Sequence, residues 1–250
     1  MICPCNVLTE VGSGGGKLGG SAVVSVDARE GGVRAGGCAL VEVRPDPWDG
    51  MVFVLPLNED VGLFLDRTKN HLDGTAGLRP TTDSGVFCQP SQYFDGRDYI
   101  FLPADGLRNE FTVSLWVKLE SKYRERTWYS RGGFSIGNSY INHVWARLGE
   151  TSVFSSATLP IGKWFYVAAS WDGSTLRVFV NGQPDGSGDG DILANSTGGL
   201  LGRGHAGNLQ EVRLHPVARN EDWLTAEYSN FCTGEFVQQG EVIGATLGDG

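Results

Sequence analysis

The chain has 250 residues, 40% of them hydrophobic, enough for one large β domain with an appendage or for two modest domains. A formal net charge of −9 argues against nucleic acid as a partner, because a phosphate backbone needs a basic face. No run of about 18 apolar residues is present to span a membrane, and the opening MICPCNVLTEVGSGGG lacks the basic and apolar regions of a secretion leader.

Residues 1–47 are rich in glycine and repeat themselves. In GGGKLGGSAVVSV, Gly19, Gly20 and Val24 recur as Gly36, Gly37 and Val41 of GGVRAGGCALVEV. Each copy is a glycine run followed by a short strand-forming stretch, and such a strand cannot bury a face alone. The two copies are expected to pair with each other or to add to an edge offered by another subunit, as an assembly arm. A two-stranded extension of the main domain and a disordered leader are the alternatives. RPDPWDG then reads as a linker or turn. The five cysteines, Cys3, Cys5, Cys38, Cys88 and Cys232, are odd in number and scattered, which fits free thiols of a reducing compartment, with a partial metal site or a disulfide as the alternatives. Cys3 and Cys5 form a C-x-C pair with no second pair to complete a zinc site.

Residues 48–230 read as strand after strand. VFVLPL and YIFLP are short apolar strands. FTVSLWVKL puts Phe111, Val113, Leu115, Val117 and Leu119 on one face and Thr112, Ser114, Trp116 and Lys118 on the other. SVFSSATL follows. WFYVAASW ends in the turn signal Asp172-Gly173, and LRVFVNG ends in Asn181-Gly182, so this stretch reads as an antiparallel meander. NLQEVRLHP is stopped by Pro216. One helix is expected, capped by Asn220, with Glu221 and Asp222 in its first turn and Trp223, Leu224, Glu227 and Tyr228 following. Residues 231–250 form a tail. Strands this numerous predict an all-β fold of two stacked antiparallel sheets carrying a glycine-rich N-terminal β arm.

Several segments together resemble the laminin-G-like, concanavalin A-like jelly-roll family. They are FVLPLNEDVGLFLDRTKNHLDGTAG, YFDGRDYIFLP, EFTVSLWVKL, GKWFYVAASWDGSTLRVFVNGQ and QEVRLHPVARNEDWLTAEYSN, in that order over about 52–230. One departure is Gln210, where the family usually has Asp. The resemblance implies a jelly roll and a binding module for sugars, proteins or other surface ligands, often with calcium. Some relatives on the architecture are glycosidases.

No catalytic residues are assigned. A retaining glycosidase needs two carboxylates about 5 Å apart, and Asp98, Glu110 and Glu211 are isolated in sequence. Asp185, Ser187, Asp189 and Asp191 follow the spacing by which oxygens wrap a hard cation, so calcium is the candidate ion. The competing reading is a solvated acidic hairpin. Asp66, Asn70 and Asp73 make a second oxygen-rich loop, which turn chemistry also explains. Trp128, Tyr129, Tyr140 and His143 are the candidate ligand-binding residues, with Trp145 nearby, since sugars stack on exposed rings. The alternative for these rings is core, as the resemblance implies for Trp116, Trp164 and Trp171. Asn195-Ser196-Thr197 matches a glycosylation sequon, which reads as an accident of sequence when no secretion leader is recognised.

The expected function is a non-enzymatic structural or adhesive subunit. Glycine-rich repeats beside such a domain are similar to those of bacteriophage structural proteins. A virion component follows, such as a head decoration, fibre or tail-associated subunit assembled in the host cytoplasm, whose partners are other virion proteins, copies of itself and a cell-surface glycan. A cellular, extracellular carbohydrate-binding module is the alternative, and a glycan hydrolase the less favoured one.

Overall fold

A computed structural model describes residues 48–60, 62–86, 89–104, 110–120, 124–190 and 198–233, the last three without their side chains. The doubled glycine segment, with Gly19, Gly20, Val24, Gly36, Gly37 and Val41, lies outside the described residues, as does Asp191. The described strands are β1 (Phe53–Leu55), β2 (Leu63–Phe64), β3 (Gly74–Leu78), β4 (Thr81–Ser84), β5 (Pro90–Asp95), β6 (Tyr99–Leu102), β7 (Phe111–Leu119) and β8 (Arg126–Arg131). They continue as β9 (Phe134–Asn138), β10 (His143–Leu148), β11 (Thr151–Thr158), β12 (Trp164–Trp171), β13 (Thr175–Val180), β14 (Gln183–Asp189), β15 (Gly199–Leu201) and β16 (Ala206–His215). One helix, α1 (Glu221–Thr233), follows.

The strands form two antiparallel sheets that stack as a sandwich, as expected. The first has the order β14-β13-β12-β7-β16-β5-β4, with β1 also paired to β16. The second has the order β11-β10-β9-β8-β15-β6-β3-β2. Period-two patterning sends Phe111, Val113, Leu115, Val117 and Leu119 of β7 into the core between the sheets, where Phe134, Ile136, Val144, Ala146 and Leu148 of the second sheet meet them. Every residue of β7 except Lys118 is buried, because its other face is covered as well. Trp116, Tyr166, Ala168 and Phe179 on the outer face of the first sheet pack against Leu224 of α1.

Helix α1 starts where the sequence predicts it. The Asn220 carboxamide accepts from the Trp223 amide at 3.0 Å, satisfying one of the orphan donors of the first turn. Glu227 fastens the helix to the sheet. Its carboxylate accepts from Arg213 Nη1 at 2.7 Å and from the Tyr166 hydroxyl at 2.5 Å, all three groups being buried. The Asn181-Gly182 turn between β13 and β14 has both residues at positive φ, 51° and 81°. That is the backbone a tight hairpin of right-twisted strands requires. Gln210, at the position departing from the family pattern, is buried and accepts from the Val86 amide at 2.7 Å.

The segment expected to wrap a cation is instead strand β14, an edge strand that closes one side of the sandwich against β11. A Cβ on Gly186 would stand 2.4 Å from the Phe154 carbonyl oxygen. Glycine here therefore serves backbone approach rather than a ligand loop. Asp185 is spent on the same closure, accepting from the amides of Ser156 at 3.2 Å and Ala157 at 2.9 Å. Ser187 and Asp189 pair with Arg177 and Thr175 of β13. Among the described residues no group of three or more His, Cys, Asp or Glu side chains is placed to hold a metal ion.

Candidate functional site

The outward face of the second sheet carries an aromatic shelf beside a polar depression. In β6, alternation turns Ile100 and Leu102 into the core and leaves Tyr99 and Phe101 facing out. Phe101 is 50% exposed. The Tyr99 ring lies across Gly77 of β3, where a Cβ would come within 2.0 Å of it. The two rings meet edge to face, with centroids 5.0 Å apart. Such an arrangement is favoured by the ring quadrupoles and holds both rings in place.

Strand register extends this shelf sideways. Phe101 pairs with Leu200, Leu200 with Ser130, Ser130 with Ser135, and Ser135 with Arg147. The row crosses four strand spacings of ~4.8 Å, about 19 Å in all. Leu200, Ser130, Ser135 and Arg147 line a depression of about 400 Å³. Arg147 is held in turn: its guanidinium stacks on the Trp145 ring at 4.2 Å and its Nη2 lies 2.5 Å from the Glu125 carboxylate. A flat apolar ring next to hydroxyls and a neutralised guanidinium can take the apolar face of a sugar and hydrogen-bond its hydroxyls. Among the described residues the lining of the depression includes no carboxylate.

The residues expected from sequence fall elsewhere. Trp128 and Tyr129 are core, both fully buried. Strict alternation would turn one of them outward, but a bulge between Thr127 and Tyr129 lets both point inward. Tyr140 is exposed, at the turn between β9 and β10. His143 follows it and is fixed by its neighbours, Nδ1 donating to the Ser155 carbonyl at 2.7 Å. Both lie at the end of the β9–β10 hairpin opposite Gly133 and Gly149, which border the depression. Trp145 is only 1% exposed, although it stands outside the inter-sheet core, laid against Gly137 under Arg147. Asp66 is buried, and its carboxylate accepts from the amides of Val54, Thr68 and Leu72 at 2.9 Å each. The Asp66, Asn70, Asp73 loop is therefore tied together internally. Glu211 pairs with Arg213 at 2.9 Å.

Sequence reasoning missed Tyr99, Phe101, Leu200, Ser130, Ser135 and Arg147. A signal for two of them was present. YIFL is apolar at every position, so whichever pair faces the core leaves two large side chains on the surface.

A family model of the concanavalin A-like lectin/glucanases superfamily, of laminin G type, matches residues 94–225, more than half of the chain. The chain belongs to this superfamily. No curated protein matches the chain. Among solved structures it is similar to domain 4 of AbnA, a GH43 extracellular arabinanase from Geobacillus stearothermophilus, in complex with arabinotriose. That match has 20% identity and a TM-score of 0.59, and covers 70% of this chain and 96% of that one. It is also similar to the binding domain of Paraclostridial Mosquitocidal Protein 1, at 14% identity and TM-score 0.63, over 74% of this chain and 53% of that one. A third is the sialidase of Trypanosoma rangeli, at 12% identity and TM-score 0.60, over 78% of this chain and 35% of that one. This superfamily member thus spans nearly the whole of the arabinanase domain, about half of the toxin binding domain and about a third of the sialidase. At these identities the likeness is one of fold.

Proposed function

We propose that the chain is a non-enzymatic adhesive subunit that binds a neutral oligosaccharide along the Phe101–Arg147 row. The observation that carries this reading is the aromatic pair Tyr99–Phe101, held rigid on a sheet face and continued in register by hydroxyl groups. Two similar folds are described with sugars, the arabinanase domain with arabinotriose and a botulinum neurotoxin binding domain with SialylT. The net charge of −9 disfavours anionic sugars, and Arg147 is already neutralised by Glu125, so the ligand class is a neutral one.

The chain is further proposed to act in many copies on a particle, a virion in the reading developed from sequence. The doubled segment of residues 1–47 supports this, because strand-forming stretches such as AVVSV and ALVEV need an edge from elsewhere to complete their hydrogen bonds. Removing residues 1–47 is expected to abolish assembly while leaving the fold intact. Assembly at wild-type strength in the truncated chain contradicts the arm.

Sugar binding is tested by screening a glycan array and titrating the best neutral hit calorimetrically. Phe101→Ala is expected to weaken binding at least tenfold, while Phe154→Ala on the far edge of the same face leaves it unchanged. Equal affinity in wild type and Phe101→Ala overturns the assignment.

A further inference from the structure

The row through Phe101 and Arg147 does not end at those two residues. On one side Phe101 pairs with Thr75 of β3, and Thr75 with Leu63 of β2. On the other side Arg147 pairs with Ser152 of β11. One register line therefore crosses every strand of the second sheet, from β2 to β11. Its eight strands are separated by seven spacings of ~4.8 Å, about 34 Å in all.

The added residues face outward like the rest. Leu63 is 44% exposed, and Thr75 and Ser152 are exposed as well. Their chain neighbours turn the other way, Phe64 beside Leu63 and Val153 beside Ser152 both belonging to the core. Among the described residues the hydroxyls of Thr75, Ser130, Ser135 and Ser152 have no hydrogen-bond partner. Other hydroxyls of the same sheet are engaged. In β11 the Ser156 hydroxyl donates to Asp185 at 2.7 Å, and the Ser155 hydroxyl to the Ala157 carbonyl at 2.8 Å. The line thus offers an open hydroxyl on four strands, an apolar side chain on three and the Arg147 guanidinium on the eighth.

The strand spacing is close to the advance of an extended sugar chain per residue. Successive sugars laid along the line meet successive strands, with apolar side chains under some rings and polar groups beside others. Contacts added along one chain carry no second association cost. The line also winds, because neighbouring strands are rotated by ~20–25° on average. A flat crystalline polysaccharide can touch only part of such a line. A single chain with freely turning linkages can follow all of it.

We propose that the ligand is a soluble linear chain of about seven neutral sugars, laid across the whole second sheet from Leu63 to Ser152. This rests on sugar binding at the Phe101–Arg147 row, and it adds Leu63, Thr75 and Ser152 as the outer contacts.

The test is calorimetric titration of the full chain with linear arabino-, xylo- and cello-oligosaccharides, each as trisaccharide and heptasaccharide. In at least one series the heptasaccharide is expected to bind at least thirtyfold more tightly, more than sliding registers give a short site. The double variant Leu63→Ala/Ser152→Ala is expected to cut that gain below tenfold, with circular dichroism unchanged. Microcrystalline cellulose is expected to retain no protein. A trisaccharide as tight as the heptasaccharide, with Phe101→Ala still weakening both, overturns the long row and leaves the sugar site standing. A length gain that survives the double variant does the same. Retention on cellulose that Phe101→Ala removes overturns the soluble single chain as the ligand. Binding indifferent to Phe101→Ala, or no binding in any series, overturns the site and the long row together.

Discussion

Two buried tyrosines carry opposite expectations. The Tyr129 hydroxyl is in the core with no hydrogen-bond partner among the described residues, and burial pushes its pKa up. The Tyr166 hydroxyl is equally buried but donates to Glu227. An unpaired buried hydroxyl costs about 1–3 kcal/mol, whereas a bond to a charged group contributes about 1.5–3. Tyr129→Phe is therefore expected to raise stability by about 1 kcal/mol and Tyr166→Phe to lower it by about 2, read from urea unfolding. A destabilised Tyr129→Phe contradicts this account of the core. The same residue shows why the candidate site was hard to read from sequence. Tyr129 and Trp128 have the composition of a sugar platform, and only a bulge, which no local sequence pattern announces, turns both inward. Tyr99 and Phe101 look like core by composition and are the rings the surface presents.

At the scale of elements, legibility followed the strength of the periodic signal. Strand β7 begins and ends at the residues its alternation marked, β12 ends at Trp171 before the Asp172-Gly173 turn, and α1 begins after its Asn220 cap. Strand β14 did not show itself, because QPDGSGD has neither β-branched residues nor alternation. It is a strand because its glycines let it close on β11, a tertiary fact. The docking of α1 gives the sharpest prediction here. Glu227→Ala leaves Arg213 buried without its inner partner, with Glu211 remaining on Nη2. A broken buried pair costs about 3–5 kcal/mol. Thermal unfolding of Glu227→Ala is expected to show a loss toward the low end of that range. A loss below 1 kcal/mol means that α1 is held by its apolar contacts alone.

For the molecule as a whole, acid should be destabilising from an unusually high pH. His205 and His215 are fully buried. Burial, with Arg126 beside His205, and burial, with Arg219 and Arg213 beside His215, lowers both pKa values from 6.5 to about 3. Below pH 6.5 the unfolded chain takes up protons that the folded chain refuses. Stability is thus complete above 6.5 and falls as pH drops toward 3, by up to about 1.4 kcal/mol per pH unit for each histidine. Between pH 6.5 and 5, above the range of ordinary carboxylates, a slope near 2 kcal/mol per unit is expected in denaturant titrations. His215→Phe, which keeps a ring against Trp223, should roughly halve it. A flat profile over that window contradicts the burial of both rings as neutral species.

The central claim is that the outward face of the second sheet holds the sugar. Amide chemical-shift mapping during titration with the strongest neutral oligosaccharide tests it most directly. The account predicts saturable shifts concentrated on Tyr99–Leu102, Ser130, Ser135, Arg147 and Leu200. Shifts confined to Tyr140 and His143, or no saturable shift with any glycan, contradict it.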